Sequence, residues 1–423
     1  MKLNRVVVTG MGVLAPNAHG LENFEIALRE GFSGIRYFEI LKELNFICHV
    51  GGVPQNVDVL KQEYFTQESL IAMNSVMVFG AIAALDCWKD AGFKIETENC
   101  VDMDTGAIIG TTTAGIDTLS ERAIPFTNSG KVRRLGSTMV EQVMASCSSA
   151  NIAGLLGLGG QVTTNSSACA TGTESIIQAF FHIKEGRSKR MLAGSTEGAS
   201  HYTWAGFDAM KVLARDYNHA PERASRPMSE STSGFVPGAG AGVLMLENLE
   251  CALKRDARIY AEVLGGYANC GGQRNGGSIT APNSQAVQHC IKKTIGMTGI
   301  HPEEIDSING HLTGTMADTL EISNWQAALQ CRPDQLPWIN STKSLVGHTL
   351  GAAGAIESIA SILQLYKGFI HGSVNCEDLH SKLECFAGRI VRKTKNINTR
   401  ILAKASFGFG DVNACVIFKR FED

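Results

Sequence analysis

Short β-type apolar runs alternate with helical ones along the whole chain, and this order constrains the fold more than any other feature. RVVVTG at 5–10 reads as a strand, and LENFEIALREG at 21–31 reads as a helix stopped by glycine. SVMVFGAIAALDCWKDAGF at 75–93 has helical periodicity, and GAIIGT at 106–111 reads as a buried strand. Further strands are expected at 190–196, 242–248, 258–266 and 414–420. Strands and helices in alternation give sheets whose faces are covered by helices, which is an α/β protein. A weak internal echo adds to this. CATGTESIIQAFFHIKEG at 169–186 matches AAGAIESIASILQLYKG at 352–368 in form, each a small-residue turn opening an apolar helix. GAGAGVLMLE near 238 and GFGDVNACVIFK near 408 are likewise glycine loops feeding apolar strands. The repeat divides the chain near 255, giving halves 1–255 and 256–423.

Charge and cysteine usage exclude several classes. Lys and Arg number 38 against 41 Asp and Glu, so the broad basic excess of a nucleic-acid binder is missing. No apolar run approaches the length of a membrane span. The apolar run in MKLNRVVVTGMG is too short for a signal-peptide core. Twelve cysteines are scattered without a CxxC pair, so neither a disulfide framework nor a zinc ribbon is expected. A cytoplasmic protein with reduced thiols follows.

The motif G-x-G-x-x-A in VVVTGMGVLA is a nominal dinucleotide fingerprint. It fits poorly, because Pro16 and Asn17 stand where the helix should open; a plain turn at the strand's exit is expected. QVTTNSSACATGTESIIQAFFHIKEG at 161–186 is more informative. A polar strand runs into small residues, then Cys169, then a helix. A cysteine on a sharp turn at a helix N-terminus feels the macrodipole and free N–H groups, which should depress its thiol pKa. The bland alternative is a small buried cysteine. Two histidines lie in Gly- and Thr-rich loops, His311 in SINGHLTGTMADTLE and His348 in INSTKSLVGHTLGAAGAIES. Such loops bring backbone close to a ligand, although a histidine there can simply cap its neighbours. Neither has metal-ligand spacing, so no metal is expected. SFGFGDVNAC at 406–415 reads as a tight turn with two core aromatics.

Taken together, SACATGTESI, GHLTGT, STKSLVGHTLGAAGAIESI and SFGFGDVNA resemble the β-ketoacyl-[acyl-carrier-protein] synthases, in the elongating Cys-His-His branch of the thiolase-like condensing enzymes. The resemblance runs from residue 6 to the C-terminus. It implies a five-layered αβαβα fold of two duplicated halves, the first carrying the nucleophile and the second the histidines. Residue by residue, it puts Cys169 at the acyl-accepting nucleophile, His311 and His348 at the paired catalytic histidines, and Lys343 at the lysine that organises the site's electrostatics. It makes Phe409 the gate of the acyl pocket, with the backbone N–H groups of Cys169 and Phe409 as the oxyanion hole. Thr313 and Thr315 would hold a phosphopantetheine arm, with Asp318, Glu321 and Glu357 as supporting acids. The implied reaction is a decarboxylative condensation of malonyl-carrier protein with an acyl group on Cys169. It needs no resident cofactor, since phosphopantetheine arrives on the acyl carrier protein. The implied assembly is a homodimer, or a heterodimer with a paralogue.

The sequence departs from the family pattern. Leu312 and Met316 replace Gly and Pro, and Asp318 comes one residue early. Ser229, Thr232 and Ser233 stand in a stretch where charged residues are usual, Ala239 replaces an acid, and Asp411-Val412 replace Gly-Thr. These changes point to a specialised subfamily extending polyketide, polyene or pigment precursors. Two alternatives come with the resemblance. One is a non-catalytic chain-length-factor partner, which lacks the nucleophile. The other is a thiolase, which needs a second cysteine; only Cys415, in the apolar ACVIF, is available. Lys131, Arg133, Arg134 and Lys211 are basic residues that could meet an acidic carrier protein.

Overall fold

The computed structural model describes residues 3–95 and 100–422. Ten strands form the main path of one large sheet: β1 (Val6–Ala15), β2 (Thr105–Gly110), β3 (Val162–Thr163), β4 (Arg190–Glu197), β5 (Gly240–Asn248), β6 (Ala261–Cys270), β7 (Ser307–Asn309), β8 (Trp338–Asn340), β9 (Ile401–Gly408) and β10 (Val412–Arg420). The short strand Ala18–His19 pairs back onto β1. The path runs β8-β7-β9-β10-β6-β1-β5-β4-β2-β3. Each half therefore repeats one order. In the first, β3-β2-β4 are parallel and β5 and β1 antiparallel to their neighbours; in the second, β8-β7-β9 are parallel and β10 and β6 antiparallel. Among the described residues the half-sheets join through three β1–β6 pairs, Val6↔Val263 to Val8↔Ala261.

Six helices cover them: α1 (Ser75–Asp90), α2 (Cys147–Leu156), α3 (Thr171–Lys184), α4 (Ser284–Thr298), α5 (Ala317–Leu329) and α6 (Ala353–Lys367). The apolar residues fall into three large cores. The central one packs Ile176 and Phe180 of α3 and Ile356 and Ile359 of α6 between both half-sheets. A second lies between α1, α2 and the first half-sheet. A third lies between α4, α5 and the second half-sheet. The layers are thus helix, sheet, helix pair, sheet, helix, the αβαβα arrangement of two duplicated halves. The two helices of the sequence echo, α3 and α6, form the middle layer. Both begin three residues after a non-glycine residue in the left-handed region, Ala168 (φ 48) before α3 and Leu350 (φ 48) before α6.

The nominal dinucleotide fingerprint is neither a turn nor a phosphate loop, because β1 continues through it to Ala15, buried throughout. A Cβ on Gly12 would come within 2.0 Å of the Ala83 carbonyl oxygen of α1, so this glycine serves helix–sheet packing. Glycine also sets the distance between the two central helices. A Cβ on Gly354 would lie 2.3 Å from the Thr173 backbone nitrogen. Overpacking at such a contact usually costs about 1–3 kcal/mol. Gly354→Ala should lower the urea midpoint accordingly; an unchanged midpoint would mean that the helices have room to spare.

Candidate active site

Cys169 sits on the turn between β3 and α3. Ala168, in its left-handed conformation, reverses the chain, and the turn closes by Ala170 N–H to Ser167 O at 3.0 Å and Thr171 N–H to Ala168 O at 3.1 Å. The Thr171 hydroxyl adds a bond to Ala168 O at 2.7 Å and accepts from Ser167 N–H at 2.9 Å. A half-buried cysteine is thereby held at the floor of a cleft of about 570 Å³. His311, His348, Thr313, Thr315, Asp318, Glu321 and Phe409 line the same cleft.

Cys169 Sγ and one ring nitrogen from each of His311 and His348 lie within 4.8 Å of one another. The imidazole rings meet edge to face, 5.1 Å between centroids. The backbone N–H of Phe409, and that of Cys169 itself, act on the sulfur. Gly408 permits this approach: a Cβ there would stand 2.9 Å from the Cys169 nitrogen. Phe409 also packs toward Phe207, 6.0 Å between centroids.

The electrostatics correct one expectation. The Cys169 thiol is not depressed but pushed up to about 11, because burial outweighs the pull of Lys343 and the two N–H groups. Helix-end reasoning alone sees the dipole and not the lost water. Both imidazoles go the other way. Burial first, then the charges of Lys343 and Lys404, hold His348 well below its usual range; for His311, His348 adds to these. Both are therefore neutral near pH 7. His348 Nδ1 accepts from Leu350 N–H at 3.2 Å, which leaves its proton on Nε2. His311 Nδ1 is buried without a hydrogen-bond partner among the described residues, so its tautomer is not locked.

Glu321 and Asp318 hold the His311 loop. Glu321 accepts from the His311 and Leu312 N–H groups at 2.6 and 2.7 Å, and Asp318 from Thr313, Gly314 and Met228 at 2.8, 3.1 and 2.8 Å. Burial raises both, Glu321 to about 7 and Asp318 to about 6. The Thr313 and Thr315 hydroxyls bond each other at 2.9 Å. Lys343, fully buried, opens the short helix Lys343–Val346 and pairs with Glu357 of α6.

The departures have structural counterparts. Leu312 takes φ 23 with its side chain in the third core, a strained backbone where glycine would be free. Met316 is exposed at the mouth of the cleft. Ser229 bonds Asp378, the partner of buried Arg226, and Thr232 bonds the Gly314 carbonyl, tying 225–233 to the threonine loop. Ser233 accepts from Arg215 N–H at 3.2 Å, and Ala239 lies fully buried in the core under α1. Asp411 anchors a segment the sequence did not single out. Its carboxylate accepts from Gln273 and Asn283 N–H at 3.0 and 2.8 Å, fixing 271–283, of which Thr280 and Pro282 line the cleft.

Sequence reasoning missed three groups. Lys404 of β9 is fully buried, 2.9 Å from the second oxygen of Glu357. Glu197 at the end of β4 is fully buried and accepts from Thr113 Oγ1 at 2.9 Å and Gly351 N–H at 3.1 Å. Arg215 lines the mouth with Lys211, whereas Lys131, Arg133 and Arg134 are exposed but do not line it. Cys415 lies fully buried in the third core, its thiol pushed up to about 12 by burial.

A thiol, two neutral imidazoles and two backbone donors at the floor of one cleft, on an αβαβα frame, define a thiol-dependent condensing protein of the thiolase type. The family models for the beta-ketoacyl synthase N-terminal and C-terminal domains match residues 3–252 and 260–377, and the chain belongs to that family. It is 33% identical to 3-oxoacyl-[acyl-carrier-protein] synthase 1 of Haemophilus influenzae, over 99% of this chain and all of that one. It superposes on the ishigamide ketosynthase/chain length factor with a TM-score of 0.89 at 27% identity, covering 99% of this chain and 100% of that chain. A ketosynthase solved in complex with its type II PKS acyl-carrier protein gives a TM-score of 0.87 at 26% identity, with the same coverage.

Proposed function

We propose that the chain is a 3-oxoacyl-[acyl-carrier-protein] synthase, an acyltransferase that joins an acyl group to a malonyl unit with loss of CO₂. The observation that carries this is the convergence of Cys169 Sγ, His311 and His348 within 4.8 Å. In the first step Cys169 Sγ attacks the carrier thioester, the S–C bond to the carrier breaks, and the thiol proton leaves with the carrier's sulfur. His311, the ring with the unlocked tautomer, relays that proton, because the thiol's raised pKa leaves little thiolate at neutral pH. The N–H groups of Cys169 and Phe409 receive the developing oxyanion. In the second step the malonyl C–C bond breaks, and His348 Nε2–H with His311 donates to the thioester oxygen of the enolate. In the third, the enolate carbon attacks the acyl-Cys169 carbonyl, the S–C bond to Cys169 breaks, and the departing sulfur takes up a proton from water, which restores the thiol.

Thr313 and Thr315 hold the phosphopantetheine arm, Phe409 gates the acyl pocket, and Asp318 and Glu321 keep the His311 loop in place. Lys343, paired with Glu357, sets the charge beneath the histidines. All the chemistry is done by side chains and backbone, with no resident cofactor or metal. The carrier protein approaches the mouth at Lys211 and Arg215; the complex seen for the ketosynthase relative supports such a partner. The halves divide at 255, the chain works in the cytoplasm as a homodimer or with a paralogue, and its altered charge networks suit a specialised polyketide or polyene pathway as well as fatty-acid elongation. Among the described residues no helix is long and apolar enough to cross a membrane. The chain-length-factor reading is disfavoured by the complete Cys-His-His set, and the thiolase reading by the inaccessible Cys415.

The test is direct. Protein incubated with a panel of acyl-carrier thioesters and malonyl-carrier protein should yield 3-oxoacyl-carrier product two carbons longer, read by mass. A folded protein that gives neither acyl adduct nor CO₂ with any donor would overturn the reading.

A further inference from the structure

The charge cluster beneath the histidines holds one cation more than the mechanism above uses. In β9, Leu402, Lys404 and Ser406 alternate with Ala403 and Ala405, as strand geometry requires. Leu402 belongs to the central core and Ala403 and Ala405 to the outer one, so Lys404 points into the middle layer. There Glu357 is shared by two lysines: one carboxylate oxygen pairs with Lys343 Nζ and the other lies 2.9 Å from Lys404 Nζ, all three side chains 0–1% exposed. Lys404 Nζ also donates to the Ala405 carbonyl and to Ser406 Oγ at 3.2 Å. Ser406 Oγ shares a hydrogen bond with Thr173 Oγ1 at 2.9 Å, in the first turn of α3. One ammonium thus touches the carboxylate of α6, the strand that leads into Phe409, and, through one hydroxyl, the helix that carries the nucleophile.

The charge count gives this arrangement its meaning. A buried Lys343–Glu357 pair alone is neutral, and its field beyond a few ångström largely cancels. Two lysines that share one glutamate leave the second ammonium without a carboxylate of its own, and burial pulls Lys404 down from its usual range against the hold of Glu357, so its charge is costly unless an anion forms nearby. Glu321, which holds the His311 loop, also pulls on Lys404; burial raises its carboxyl to about 7, so it is only partly ionised at neutral pH and offsets only part of the excess. The anion that appears transiently is the malonyl-derived enolate. Building on the synthase reading, we infer that Lys404 is a positioning residue for this reaction, a fixed internal cation that leaves the cleft floor net positive where the enolate forms while Lys343 and Glu357 stay paired.

The test uses the full-length protein with Lys404→Met and Lys404→Ala. Methionine fills the volume without charge; alanine leaves a hole lined by the Glu357 carboxylate, a carbonyl and the Ser406 hydroxyl. Lys404→Met should decarboxylate malonyl-carrier protein at least tenfold more slowly, in kcat rather than KM. Lys404→Ala should be equally slow in tetramethylammonium chloride, and ammonium or methylammonium chloride at the same ionic strength should restore several-fold of its rate. The same small cations should raise the thermal midpoint of Lys404→Ala and leave that of wild type unmoved. A folded Lys404→Met with wild-type rate overturns the inference, and so does a slow Lys404→Ala that small cations do not restore. If Lys404→Met does not fold, the thermal midpoint of Lys404→Ala decides, and the absence of a cation-dependent rise counts against the inference. If wild type itself releases no CO₂, the synthase reading fails, and the thermal comparison still reports whether Lys404 fills a cation pocket.

Discussion

Cys169→Ala should abolish the covalent acyl adduct in intact-mass measurements and reduce condensation to background, with folding intact. Among the described residues that line the cleft the sulfur is the one thiol, and the N–H groups of Cys169 and Phe409 act on it. An acyl group kept by the Cys169→Ala variant would put the nucleophile elsewhere and remove the basis of the mechanism. The raised thiol gives a second readout on wild type. Alkylation of Cys169 by a small uncharged reagent should keep accelerating above pH 9, since the thiol titrates near 11. A plateau near pH 7 would show that substrate-free protein already holds a thiolate.

The second large effect belongs to the histidines. Removing one preorganised donor to a developing oxyanion typically costs a hundredfold to a thousandfold. His348→Ala and His311→Ala should each slow malonyl decarboxylation by that order. Their consequences should then diverge. His348 is locked as an Nε2–H donor by Leu350, so its loss should fall on decarboxylation. His311 has a free Nδ1, so its loss should also slow transfer of the acyl group to Cys169. Wild-type CO₂ release by both variants would sink the assignment. Equal effects of the two on acyl transfer would sink the division of roles.

Much of this site was legible because its parts sit in local motifs. Cys169, His311, Lys343, His348 and Phe409 each lie in a glycine- or small-residue loop, where backbone must come close to a ligand, and the structure brings them to one cleft, Lys343 excepted, which lies buried beside it paired with Glu357. The echo between 169–186 and 352–368 likewise marks the two central helices. What escaped was non-local. The strands β7 and β8 have three residues each, too few to show a period. Lys404 breaks an apolar alternation that would otherwise have announced β9, and only its distant partner Glu357 explains a lysine there. The thiol's direction differs from the sequence expectation for the same reason: a turn and a helix end are visible in sequence, while the burial around them depends on the whole fold.

The left-handed turn that opens each central helix carries one more consequence. Counting back from α3 and α6, Cys169 in the first half stands where Gly351 stands in the second, each following the left-handed residue. The duplicated device has been put to unequal use. In one copy the residue after the bend reacts. In the other it has no side chain at all, and a Cβ would press within 2.7 Å of Glu197 and 2.9 Å of Thr112. Its N–H braces Glu197, whose charge is felt at Cys169. The second turn has become scaffolding for the first, so the symmetry of the frame survives while the chemistry has settled on one side of it.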